Sequence, residues 1–238
     1  RWLQRVHNAH VMYIDVDAHH GDGVQWIFYD DPDVLTVSFH ESGAFLYPGT
    51  GFIDEMGDGD GYGYSVNVPF DPHTDDPSFV HAVAELVPAL AESFQPDVIV
   101  FQAGCDAHLL DPLTHLRCST RIYEDITRIV GEAADAHCGG RIVATGGGGY
   151  AIHTVVPRAW TLVWATLCGI TVPDAVPDSW LDAVAGECDV AMPRTLRDPP
   201  GAVERLPRSA EAELTNRRTV DAVRNRCLPL ITGWGLGF

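Results

Sequence analysis

The sequence holds no run of about 18 apolar residues, so no helix long enough to span a bilayer is expected. It is also poor in positive charge. Lys plus Arg number 15 against 33 Asp plus Glu, a net −18 with histidine neutral. Nucleic acids and anionic lipids are bound by basic faces, so neither is expected as a partner. No CxxC pair occurs. The six cysteines (Cys105, Cys118, Cys138, Cys168, Cys188, Cys227) are far apart, and 238 residues bury a core without disulfide staples. A reducing, cytoplasmic setting is the expectation. The opening RWLQRVHNAH lacks the zones of a secretory signal, and a start at Arg1 suggests a beginning further upstream. What remains is a soluble globular composition, 46% hydrophobic and 20% charged, with no internal repeat.

Short apolar runs alternate with helical periodicity. VMYID (11–15), VLTVSFH (34–40), YSVNVPF (64–70), DVIVFQAG (97–104) and RIVATGG (141–147) read as strands. Helices are expected after residue 22, over 77–94, near 120–137 and near 152–168. This alternation predicts an α/β fold, a mostly parallel sheet with helices on both faces. Residues 1–170 are expected to form the catalytic domain. Residues 171–238, where Pro and Asp become frequent, are expected to pack on it or trail from it, with one last helix in SAEAELTNRRTVDAVRNRC.

Ligands of such sheets bind beyond the carboxyl ends of the strands, and three strands end there in unusual clusters. The first is Asp15–Gly23, DVDAHHGDG. On an extended segment Asp15, Asp17 and His19 share a face, which suits carboxylate oxygens and an imidazole converging on a metal; the bland alternative is a solvated acidic loop. The second, GCDAHLLDPL (104–113), offers Asp106, His108 and Asp111. If its strand neighbours the first, Asp106 falls beside Asp17 and His19 and completes a three-ligand set with open positions. Two Asp and one His suit zinc, and also iron(II), cobalt or manganese. The third, GGGGYA (146–151), fits neither a P-loop nor a dinucleotide fingerprint. Its glycines permit close backbone approach, and Tyr150 is placed to aim a hydroxyl at an oxyanion.

DVDAHHGDG, the PGTG of Pro48–Gly51, GCDAHLLDPL and GGGGY together resemble the histone deacetylase family in order and spacing, most closely its bacterial acetoin-utilisation type, from about Val11 to Leu167. The resemblance implies a three-layer arginase-like α/β fold and a zinc-dependent deacetylase acting on acetylated protein or acetylpolyamine. It implies Asp17, His19 and Asp106 as zinc ligands and Tyr150 as the group that polarises the acetyl carbonyl. Asp15 and Asp22 match carboxylates that orient the family's two catalytic histidines. Monovalent-cation sites, for K⁺ or Na⁺, are implied at Asp15, Asp17, His19, Ser38 and Phe39, and at Phe28, Asp31, Val34 and Tyr64. Tyr47, Leu113 and Gly148 match the acyl-lysine tunnel, although plain packing also accounts for Tyr47 and Leu113.

The family's general-base histidine pair lies upstream of the DVDAHH strand, in a Gly-His-His segment. Only ten residues precede Val11 here, and His7 and His10 are not adjacent. The chain is therefore expected to be an N-terminally truncated, C-terminal portion of the domain, with weak or absent hydrolysis and an unpaired sheet edge. The alternatives are a catalytically dead remnant that binds metal and acyl ligands, an acetylpolyamine amidohydrolase and, on the same fold, a binuclear manganese ureohydrolase. His40 and His153 are expected to be structural, the six tryptophans to be core or interface, and Asp54, Glu55, Asp58 and Asp60 to form a solubilising acidic loop or a surface for a basic partner.

Overall fold

The computed structural model describes residues 1–187 and 190–231; Cys188 and Trp234 fall outside them. The strands are β1 (Val11–Asp15), β2 (Val34–Glu41), β3 (Ser65–Phe70), β4 (Val98–Gln102) and β5 (Ile142–Thr145). The helices are α1 (Trp2–His7), α2 (Asp22–Ile27), α3 (Asp76–Phe94), α4 (Arg121–Cys138), α5 (Val156–Leu167), α6 (Asp178–Val184) and α7 (Pro207–Ile231). All pairings are parallel and the strand order is β3-β2-β1-β4-β5. The chain builds outward from β1 to β3, then returns through α3 to lay β4 on the other side of β1. The reversal leaves a crevice outside the carboxyl ends of β1 and β4, the usual ligand position in an open parallel sheet.

Side chains alternate across the sheet. Met12, Ile14, Leu35, Val37, Ile99 and Phe101 point into the main core with Phe79, Leu86 and Leu90 of α3 and Ile122, Ile126 and Val130 of α4. Val11, Val34 and Val98 point the other way, into a small cluster closed by Leu3 of α1 and by Phe28 after α2. Helices thus cover both faces, as the alternation predicts, but unequally. Pro77 sits in the first turn of α3, and Gln95 ends the helix in a left-handed conformation with its N–H on the Ala91 carbonyl. The last helix runs 25 residues and packs on α3 and β3. It is pinned by Asn216, whose amide donates to Thr74 and Ser78. No helix among the described residues is long and apolar enough to cross a membrane.

Three expectations need correction. The structure adds helices α1 and α6, six and seven residues long, whose one or two turns carry too little periodicity to read in the sequence. The described tryptophans do not fill the core, which leaves the interface expectation untested: Trp2, Trp26, Trp160, Trp164 and Trp180 are all exposed, although the Trp160 indole donates to the Ala103 carbonyl. Glu55 is no part of a solvated acidic loop. It accepts from the Gly51 and Phe52 amides and from Gln25 Nε2, and so holds the Pro48–Gly51 turn.

Candidate metal centre

The end of β1 lies in register with Ser38 of β2 and Gln102 of β4, which brings the DVDAHH and GCDAH segments side by side. One oxygen of Asp17, one of Asp106 and a ring nitrogen of His19 gather within 4.8 Å of one another, an arrangement able to hold a metal ion. His19 Nδ1 lies 3.1 Å from Asp17 Oδ1 and 2.8 Å from Asp106 Oδ2. Backbone and side-chain donors fix the carboxylates: His19 N–H and Gln102 Nε2 donate to Asp17, and Ala18 N–H donates to Asp106. The Gly148 amide donates to Asp17 Oδ2 at 2.5 Å. A Cβ at Gly148 would stand 2.2 Å from Asp106 Oδ2 and 2.8 Å from Asp17 Oδ2, so only glycine allows this approach.

The electrostatics call for a cation. Burial, reinforced by the charge of Asp17, pushes Asp15 up to about 8, and burial pushes Asp106 up to about 7. Burial would raise Asp17 as well, but hydrogen bonds with His19, Asp106 and Gln102 outweigh it and hold Asp17 low. His19 is pushed up to about 10, first by its hydrogen bond to Asp106 and then by that to Asp17. A divalent ion held by these three atoms would compete with protons for them and would offset the crowded carboxylate charge. Two carboxylates and an imidazole suit zinc and the other borderline divalent ions.

A cavity of about 490 Å³ opens onto this cluster, lined by Asp17, His19, His20, Asp22, Leu46, Tyr47, Pro48, Leu113 and Tyr150. Tyr47 and Leu113 form its exposed rim. The Tyr150 ring stands edge-on to His19 with centroids 6.0 Å apart, and its backbone N–H donates to Asp111 Oδ2 at 2.8 Å. Burial and the charges of Asp106, Asp17 and Asp111 raise its phenol, which therefore remains a proton donor at neutral pH.

Asp15 does not join the metal face. Its carboxylate accepts from Tyr13 Oη at 2.7 Å and from the Asp17 amide, because the strand ends there and the alternation expected of Asp15, Asp17 and His19 breaks. Asp22 faces the cavity from the first turn of α2 and accepts from the Gly23 amide. Gly148 is not among the cavity-lining residues; it lies beneath Asp17 and Asp106. Ser38, opposite Asp15, shares a hydrogen bond with His40 and precedes Phe39. Phe28 caps α2, Asp31 falls in the turn that follows and Val34 opens β2, while the Tyr64 carbonyl accepts from Thr36 N–H of β2. The Asp31 side chain accepts from Arg1 and Gln4. His40 is structural, its ring bonded to Ser38 and the Gly51 carbonyl. Sequence reasoning missed Gln102 and the bracing role of Asp111. A single polar residue ending an apolar strand was the available signal for Gln102.

A family model, the histone deacetylase domain, matches residues 1–167. This chain belongs to the histone deacetylase family. The acetoin utilization protein AcuC of Bacillus subtilis is 47% identical over 220 residues, covering 92% of the chain and 57% of the relative. That of Staphylococcus xylosus is 39% identical over 223 residues, covering 93% and 58%. The crystal structure of an HDAC homolog from Aquifex aeolicus matches with a TM-score of 0.76 at 30% identity, over 91% of the chain and 59% of that structure. An HDAC homolog complexed with SAHA matches equally well, at 31% identity. The chain therefore spans somewhat over half the length of these histone deacetylase relatives, and their arginase-like fold is the one described above.

Proposed function

We propose that this chain is the metal-binding portion of a zinc-dependent deacetylase that hydrolyses acetyl-lysine amides, with acetylpolyamines as the alternative substrate. The observation that carries it is the convergence of Asp17, His19 and the buried Asp106 beside a cavity that Asp17, His19 and Tyr150 line. Bound there, a zinc ion supplies Lewis acidity and a water of lowered pKa. Asp17 and Asp106 would hold it, kept in place by backbone amides and Gln102. Tyr150, kept protonated, donates to the oxygen on which charge develops as the amide is attacked. Tyr47 and Leu113 at the rim flank an acyl chain on its way in. Asp15, Asp17, His19, Ser38 and Phe39, and at a second site Phe28, Asp31, Val34 and Tyr64, would hold a monovalent cation, K⁺ or Na⁺, which would offset buried carboxylate charge.

A proton acceptor for the attacking water is not furnished by His20, His40 or His108. Both ring nitrogens of His20 are engaged, by Thr50 and Gln25; those of His40 by Ser38 and Gly51; those of His108 by Leu110 N–H and Asp198. We assign the base to the part of the family's length that this chain does not span. The same observation favours a second reading, in which these 238 residues alone bind metal and acyl ligands without turnover.

Elemental analysis of the purified chain is expected to show about one divalent ion, with zinc preferred. Asp17→Asn, His19→Ala and Asp106→Asn are each expected to release most of it. A folded chain with no metal above background refutes the site. In a family-length protein, Tyr150→Phe is expected to lower deacetylation of an acetyl-lysine peptide by about 10²-fold or more while sparing metal content. Unchanged rates refute the oxyanion role.

A further inference from the structure

The structure ties the segment after α6 to the metal-bearing loop through one buried carboxylate. Asp198 is buried and receives three donors from three different elements. Arg158 of α5 donates to Oδ1 at 2.5 Å; Thr120 N–H, at the start of α4, and His108 Nε2, in the GCDAH loop, each reach Oδ2 at 2.8 Å. The backbone closes the same knot. Asp198 N–H donates to Thr120 Oγ1, and Arg121 Nε donates to the Asp198 carbonyl. Arg158 also reaches the carbonyls of Thr154 and Thr195.

His108 is fully buried, and its tautomer is set by its partners. Leu110 N–H donates to Nδ1 at 3.1 Å, so that nitrogen carries no proton and Nε2–H donates to Asp198. His108 stands two residues beyond Asp106. Its carbonyl accepts from Asp111 N–H, and Asp111 in turn accepts from Tyr150 N–H. The short turn 106–111 thus carries a metal-site carboxylate at one end and the support of Tyr150 at the other, with His108 as its buried anchor.

We infer that Asp198 is a positioning residue, which through His108 fixes the 106–111 turn and thereby sets both the Asp106 carboxylate and Tyr150. The inference rests on Asp106 being a metal ligand. It gives residues 195–200 a role in the centre although they touch neither metal nor cavity. Asparagine cannot replace Asp198. All three donors point at its two oxygens, whereas an amide offers one oxygen and turns its NH₂ against either Arg158 or the His108–Thr120 pair. Groups that orient ligands indirectly typically contribute 10–100-fold to metal affinity, and for one acting through an intervening side chain about tenfold is expected.

The test is titration of the metal-free chain with Co²⁺, followed by its visible d–d absorption, with thermal melts of each variant alongside. Asp198→Asn is expected to bind Co²⁺ about tenfold more weakly with an altered absorption envelope. His108→Leu, which leaves Asp198 its Arg158 and Thr120 partners, is expected to do the same. Arg197→Ala serves as the structural control. Its side chain pairs with Glu124 and Asp174 in the same segment, and its loss is expected to lower the melt while leaving Co²⁺ affinity unchanged. A folded Asp198→Asn chain with parental affinity and spectrum overturns the inference. If that variant does not fold, parental affinity in His108→Leu overturns it instead. Equal weakening by Arg197→Ala also overturns it, by showing that general loosening is enough. A parental chain that takes up no Co²⁺ refutes the metal centre itself, and the inference with it.

Discussion

Strands β2 and β5 come from the same kind of apolar run yet end in opposite environments. All eight residues of β2 are buried, whereas none of the four in β5 is fully so and Val143 is 50% exposed. The β2 side is sealed by β1 and β3 and by α3, and α7 closes over β3. On the other side β5 pairs, among the described residues, only with β4, and the neighbouring Trp160 and Trp164 of α5 are exposed. A parallel strand is ordinarily covered on both faces. The comparison teaches that apolar character tells where a strand forms, but neighbours decide whether it carries stability.

The largest effect that sharpens this contrast is energetic. Phe39→Ala in β2, against Phe70 and Phe79, is expected to cost about 3–5 kcal/mol in a urea melt, whereas Val143→Ala in β5 is expected to stay within about 0.5 kcal/mol. Comparable losses at the two positions would show that β5 is covered in solution. Next in size is association. An unpaired, apolar parallel edge invites pairing, so the chain is expected to self-associate at micromolar concentration, and Val143→Lys to shift it toward monomer in sedimentation velocity. A parental chain that stays monomeric throughout would break the contrast.

The smallest expected effect is acid sensitivity on the covered side. Burial would raise Asp198, but hydrogen bonds from His108, Arg158 and Thr120 N–H outweigh it and hold the carboxyl well below the ordinary range. A carboxyl lowered in the folded state contributes stability that is fully present above its unfolded value of about 3.9 and is lost as pH falls toward its folded one. Melting temperature is therefore expected to fall below about pH 4, and Asp198→Asn to flatten that fall. An identical slope in parent and variant would remove Asp198 from the acid response.

Much of the fold was legible because each strand is a short apolar run followed by a polar break, and α3 and α4 carry sustained helical periodicity. The metal triangle was legible for a topological reason: two clusters that both end strands meet if the strands are neighbours, and β1 and β4 are. What escaped depends on contacts distant in sequence. Glu55 reads as one more acid in a loop of acids until Gln25 and the Gly51 amide are seen on its oxygens. His108 reads as a further ligand beside Asp106, but its partner is 90 residues away and pulls the ring from the cavity. Alternation stops because β1 ends at Asp15, which leaves its carboxylate on the Tyr13 side, bonded to that hydroxyl.

The tight seat of Gly148 beneath Asp17 and Asp106 has a use in reading other chains. Ligand letters alone do not report a working centre, since Asp and His persist in a sequence after the geometry that joins them has decayed. Any residue with a side chain at this glycine would drive its Cβ into both carboxylates. In a related sequence, a substitution at the position of Gly148 therefore marks a centre that can no longer close around an ion, even where Asp17, His19 and Asp106 are all retained.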